Sequence, residues 1–161
     1  MAFTDDGLIY GLAKVTLGSD ILGYIDEQGL QPAGTAAQRK DVYAAQVKDG
    51  HVLSIMSNPG KKAFKMNLIQ LDGAGLVKAI GGTVDTTTGK YSPPEGAWEK
   101  TDTMKIECDS GHIIDIAKAR VSADDFTNGI NSGNVLGLSL NIECLKPATG
   151  DRINITPPQT V

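Results

Sequence analysis

The chain has 161 residues, 21% of them charged and 40% hydrophobic, with a formal net charge of −4 and a pI near 5.1. That length suits one domain with a single core, and the acidic balance argues against a module that grips nucleic acid through its whole surface. Nineteen glycines against 5% aromatic residues point to many turns and a lightly built interior, and no apolar run approaches the roughly 18–20 residues that cross a bilayer.

The N-terminal stretch MAFTDDGLIYGLAK lacks a basic region and places Asp5 and Asp6 where the apolar part of a signal peptide would begin, so the chain is expected to start out in the cytosol. IYGLAKVTLG and ILGYI, around Gly18-Ser19-Asp20, read as two strands. Segment 26–40, DEQGLQPAGTAAQRK, reads as irregular. DVYAAQVK and HVLSIMS then flank Asp49-Gly50, a pair that supplies the positive φ values of a two-residue type I′ turn. Asn58-Pro59-Gly60-Lys61 has Pro and Gly where a type II turn wants them. In KKAFKMNLIQL, Phe64, Met66 and Leu68 alternate with Lys65 and Asn67, so residues 41–71 are expected to form a three-stranded meander. Lys61-Lys62 is the one adjacent basic pair on such a turn and is explained by solvation.

DGAGLVKAIGG predicts one short helix over about residues 72–81: Asp72 is a plausible N-cap, Leu76, Val77 and Ile80 share a side, and Gly81-Gly82 stops it. Residues 85–102 read as a loop, yet they hold Tyr91, Pro93-Pro94 and Trp98, the single tryptophan of the chain. TMKIECD alternates Met104, Ile106 and Cys108 with Lys105, Glu107 and Asp109. Ser110-Gly111 joins it to HIIDIAKARVS, where Ile114 and Ile116 are followed in register by Lys118 and Arg120; that strand is expected to change neighbours partway or to leave the core for an interface. After the irregular stretch 123–134, NVLGLSLNIEC alternates from Leu136 to Cys144. Beyond Pro147 the Pro-rich segment shows no apolar periodicity, so a domain over 1–146 with a mobile tail over 147–161 is expected. The fold class is mainly β: an antiparallel β-sandwich or barrel with one short flanking helix and long loops.

The motifs of common chemistries are missing. There is no G-x-S-x-G elbow and no phosphate loop, since Gly89-Lys90 is followed by Tyr91; Gly73 and Gly75 are followed by Lys78 where G-x-G-x-x-G needs a third glycine. A calcium-loop alignment starting at Asp124 puts Phe126 at the third ligand position and Val135 at the bidentate glutamate. Cys108 and Cys144 fall on the apolar register and read as reduced, buried side chains, and His51 and His112 have no metal-ligand spacing. Paired carboxylates of a glycosidase would call for aromatic platforms, and the chain has few aromatic residues to spare. No enzyme activity, metal or cofactor is expected, which leaves binding or assembly.

The run LGYIDEQGLQPAG after a first strand, then VYAAQ, then FKMNLIQLDGAGLVKAIGG, resembles the tail tube proteins of long-tailed bacteriophages and related prophage elements, over about residues 8–146. Those proteins share a fold with the tubes of contractile injection systems and type VI secretion. The resemblance implies a structural subunit whose copies form rings of six that stack into a hollow tube passing DNA or an effector. Its partners would be itself and other tail components, with DNA as non-specific cargo and no membrane. It would reside in the bacterial cytoplasm during assembly and then in a virion tail or tail-like particle.

A stack of rings needs heterologous contacts, one surface matching a different surface of the neighbour. Tyr91, Pro93, Pro94 and Trp98 in one loop, and Leu30 and Pro32 in another, are the expected subunit-interface residues, because tryptophan is a favoured anchor and prolines lower the ordering cost of a loop. Glu107, Asp109 and Glu143 are the acidic residues expected to face the lumen and repel phosphates. The alternative readings are a monomeric β-sandwich that binds a small ligand or glycan on a platform of Tyr91 and Trp98, and, for Trp98 alone, a side chain folded back as a lid on its own barrel.

Overall fold

The computed structural model describes residues 7–159. The first strand, β1 (Leu12–Leu17), turns through Gly18 into β2 (Asp20–Ile21). Two short strands follow, β3 (Gln31–Pro32) and β4 (Gln38–Val42), then β5 (Leu53–Asn58) and β6 (Lys62–Leu68). After the helix α1 (Gly73–Ile80) come β7 (Thr83–Val84) and β8 (Tyr91–Ser92). The chain ends in two long strands, β9 (Glu99–Cys108) and β10 (Ile113–Thr127), and in β11 (Gly137–Cys144) and β12 (Ile153–Thr156).

These elements make a mainly β fold with one helix, an antiparallel sheet curled into a half-barrel. The strand order is β2-β1-β9-β10-β11-β6-β3, with β12 laid on β10. Alternation decides which face turns inward. Val15 and Leu17 of β1, Met104 and Ile106 of β9, Val121 of β10, Leu140 and Ile142 of β11, and Met66 and Leu68 of β6 pack together on the concave side, where α1 adds Ala79 and Ile80. Cross-strand partners such as Ile142 with Phe64 and Val15 with Ile106 share this face, as ladder geometry requires. Asp72 is the helix N-cap by backbone conformation, with no side-chain cap bond, and Gly81 at φ 83° ends the helix.

The long strand β10 does change neighbours partway. Its register slips between Ile116 and Ala119; before the slip it pairs with β12, after it with β11. The bulge keeps Ile116 and Val121 both buried, although an uninterrupted alternation would put them on opposite faces.

Four expectations are corrected. Residues 41–71 are not a meander: β4 and β5 pair only with each other, while β6 leaves them and enters the main sheet between β11 and β3. The reason lies in the side chains, for Phe64, Met66 and Leu68 present one apolar face to a core whereas β5 carries Leu53, Ile55 and Met56 across both of its faces. Asp49-Gly50 is not a two-residue turn, because pairing stops at Val42 and Leu53 and leaves 43–52 as the connection. The supposed loops 26–40, 85–102 and 123–134 include β3 and β4, β8 and the start of β9, and the end of β10. The segment after Pro147 contributes Ile153–Thr156 to the sheet as β12; Ile153 and Ile155 alternate with Asn154, a period too short to stand out beside the prolines.

Candidate assembly surfaces

The register of the sheet defines two ends of the half-barrel. Strand β6 runs from Lys62, whose partner is Cys144, to Leu68, whose partner is Leu138, and Leu138 in turn faces Phe126. Leu12, Cys108 and Phe64 mark the first end; Trp98, Phe126 and Leu138 mark the second, where α1 also lies, with Lys100 Nζ donating to the Lys78 carbonyl at 3.4 Å.

An arm leaves the first end. Strand β3 runs alongside β6 in the opposite sense, through the pairs Gln31 with Lys65, Pro32 with Phe64 and Thr35 with Lys61. The chain then continues past the end of the sheet as β4 and returns as β5 into β6. Pro32 fits here because β3 is an edge strand. The root of the arm is tight: a Cβ on Gly34 would sit 2.4 Å from the Lys61 carbonyl oxygen, and one on Gly60, at φ +73°, would sit 2.4 Å from that of Thr35. The Asn58 side chain accepts the Gly60 N–H at 2.8 Å and holds the reversal.

Beyond the root the arm stands clear of its own body. One face carries Val42, Leu53, Lys40 and Ile55, the other Arg39, Met56, Asp41 and Ser54. Leu53 is 54% exposed, Ile55 49% and Met56 49%. At the tip Tyr43 meets His51 edge to face, with ring centroids 6.1 Å apart. A two-stranded ribbon with solvent on both sides is marginal by itself, and large exposed apolar patches mark contact surfaces. The sequence reading missed this surface. Its signal was available in residues 42–56, where apolar residues without a clean period of two cannot all face one core.

At the second end Trp98, Ala123, Phe126 and Leu138 line a cleft of about 330 Å³ rimmed by Asp124 and Asp125. Trp98 is half-buried against its own core, and its carbonyl accepts the Ala123 N–H at 2.8 Å. Phe126 in the cleft is exposed, as are Ile130 and Val135 in the connection that follows β10, Ile130 to 85%. Asp124 lies 3.8 Å from Lys65, while Asp125 accepts the N–H of Phe126 at 2.7 Å. A second apolar depression, of about 380 Å³, sits at the first end between Leu12, Leu30, Phe64, Ile106 and Ile114.

The other expected interface residues are scattered. Leu30 packs against the core and Pro32 is exposed on β3. Tyr91 also packs on the core, its hydroxyl donating to the Gly81 carbonyl at 2.6 Å, and burial pushes its pKa up. Pro93 is exposed and Pro94 half-buried. Of the acidic trio, Glu107 and Glu143 stand on the polar sheet face, each met by a cation: Lys14 lies 3.0 Å from Glu107 and Arg120 bonds Glu143. Asp109, exposed at the end of β9, donates its backbone N–H to the Gly11 carbonyl at 3.1 Å. Among the described residues no cluster of His, Cys, Asp and Glu is arranged to hold a metal ion, and no helix is long and apolar enough to cross a membrane. No protein-family model matches the chain, and no curated protein matches it in sequence.

Proposed function

We propose that the chain is a structural subunit whose copies assemble into rings stacked as a hollow tube for the passage of DNA or an effector. The observation that carries this reading is the arm, a ribbon with one largely apolar face that projects from one end of the half-barrel and that no other part of the described residues covers. A two-stranded ribbon that exposes Val42, Leu53 and Ile55 on one face and Met56 on the other is stabilised by another molecule. Where the arm of each copy enters a different surface of the next, the contact is heterologous and repeats along an axis or closes into a ring. The resemblance to tail tube proteins supplies the ring of six and the lumen. The chain's net charge of −4 suits a conduit, since a surface with excess negative charge repels phosphates instead of binding them.

A ligand platform of Tyr91 and Trp98 has weaker support, because both rings pack against the chain's own core and the Tyr91 hydroxyl is already bonded. The test is light scattering over a concentration series, with negative-stain microscopy of the same fractions. Rings or tubes are expected from the intact chain, and a folded monomer from a variant with residues 39–57 replaced by a short Gly-Ser link. Equal assembly by the armless variant would remove the reading's main support.

A further inference from the structure

The arm needs a receiving surface, and we infer that one copy's arm seats its Val42-Leu53-Ile55 face in the Trp98-Phe126-Leu138 cleft of the next copy, with Lys40 toward Asp125. The inference rests on the assembly reading above and adds where the contact lies.

Three observations select the cleft. The first is direction. Strands β3 and β6 feed the arm past the first end of the half-barrel, and the cleft lies at the second end, a strand length away along β6. In a head-to-tail repeat, what leaves one end meets the opposite end of the neighbour. The apolar depression at the first end lies on the side from which the arm departs, so an axial repeat does not present it to the arm.

The second is fit. A cavity of about 150 Å³ takes a benzene-sized group, so the 330 Å³ cleft takes about two such groups. The Val42-Leu53-Ile55 face offers aliphatic side chains in a row, whereas the opposite face offers Met56 alone among charged and polar groups. Phe126 lines the cleft, and Ile130 and Val135 stand exposed in the connection between β10 and β11 at the same end.

The third is charge. Residues 38–58 hold Arg39, Lys40 and Lys48 against Asp41 and Asp49, a net of +1 on a chain of −4, so the remainder carries −5. Asp125 on the cleft rim makes no ion pair among the described residues, and neither does Lys40, which shares the apolar face of the arm. An arm of one sign entering a rim of the other gains orientation as well as encounter rate.

The test mixes copies carrying Ile55→Cys with copies carrying Ala123→Cys and oxidises them with copper phenanthroline. Wild type, with its native Cys108 and Cys144, is the background, Met56→Cys on the opposite face of the arm is the control, and circular dichroism checks each fold. A disulfide-linked heterodimer is expected from the Ile55→Cys mixture well above the Met56→Cys level. Trp98, the single tryptophan, should shift its emission to the blue as wild type assembles. Lys40→Glu should raise the concentration needed for assembly by about tenfold, and Asp125→Lys in the same chain should restore it. If particles form while the crosslink stays at the control level and Trp98 emission does not move, the cleft assignment is overturned and assembly stands. A monomer at every concentration, with no crosslink, overturns both.

Discussion

Cys108 and Cys144 show how far single residues follow their register. Both sit on apolar positions of their strands, and the structure keeps both as free thiols. Burial pushes the Cys108 thiol up, with the Asp109 charge adding to it; burial also pushes Cys144 up, Glu143 adding to the rise and Arg152 opposing it. The thiolate is the reacting form, so a raised pKa leaves less of it at neutral pH than a free cysteine has. Iodoacetamide labelling followed by mass spectrometry should therefore be slower than for a small thiol at pH 7.5. It should accelerate as pH rises through and beyond the ordinary thiol range, with half-buried Cys108 reacting before Cys144. Fast, equal labelling of both at neutral pH would contradict the packing of β9 and β11. Trp98 and Tyr91 teach a related lesson: an aromatic residue in a Pro-rich, polar stretch looked like a contact to another molecule, and each proved to pack against its own core as well.

Among the elements, β12 and the arm make opposite uses of backbone pairing. Strand β12 covers the edge of β10 from Ile113 to Ile116, with the Ala117 N–H also bonded to the Arg152 carbonyl at 2.9 Å. Ending the chain after Pro147 should open that edge and strip Ile153 from the core. The expected cost is on the order of 1–2 kcal/mol from lost apolar burial, together with a new aggregation-prone edge. Thermal unfolding followed by circular dichroism, with scattering on the same sample, reads both effects. An unchanged midpoint would show that β12 adds nothing to the fold. The arm instead keeps two open edges and two open faces, and its register is pinned from the root, where Gly34 and Gly60 admit no side chain between the crossing backbones.

For the molecule as a whole, the half-barrel is polar outside, apolar inside and different at its two ends. Lys14, Lys65 and Arg120 stand among Glu107, Asp124 and Glu143 on the polar face, paired at distances that reach 3.8 Å. This balance changes the electrostatic expectation. Glu107 and Glu143 each have a cation beside them, so the weak hold on DNA proposed for a conduit rests on the chain's overall negative charge and not on these two residues as bare charges. The protein is expected not to retard double-stranded DNA in a mobility-shift assay at 150 mM salt. Retardation that falls steeply with salt would reveal uncompensated cations and count against free passage.

Much of the fold was legible because burial with a period of two writes itself into the chain. Met104-Ile106, Leu138-Leu140-Ile142 and Phe64-Met66-Leu68 each announced a strand and its inward face, Gly81-Gly82 announced the helix end, and Ser110-Gly111 announced the turn between β9 and β10. These are local features, set by backbone sterics and by which side chains water excludes. Strand partnership is not local. Nothing near Asn58-Pro59-Gly60 says that β5 and β6 part company there, because the partners that draw β6 away, β11 and β3, lie about 70 and 30 residues along the chain, and non-local pairing leaves no periodic trace. The sequence by itself determined the inward faces of the core strands, the helix end at Gly81-Gly82, the turn at Ser110-Gly111 and the absence of familiar catalytic motifs. Only the tertiary structure decided that Leu53 and Ile55 stand in solvent on a projecting arm while Trp98 lines a cleft at the far end, since exposure depends on what the rest of the chain leaves uncovered.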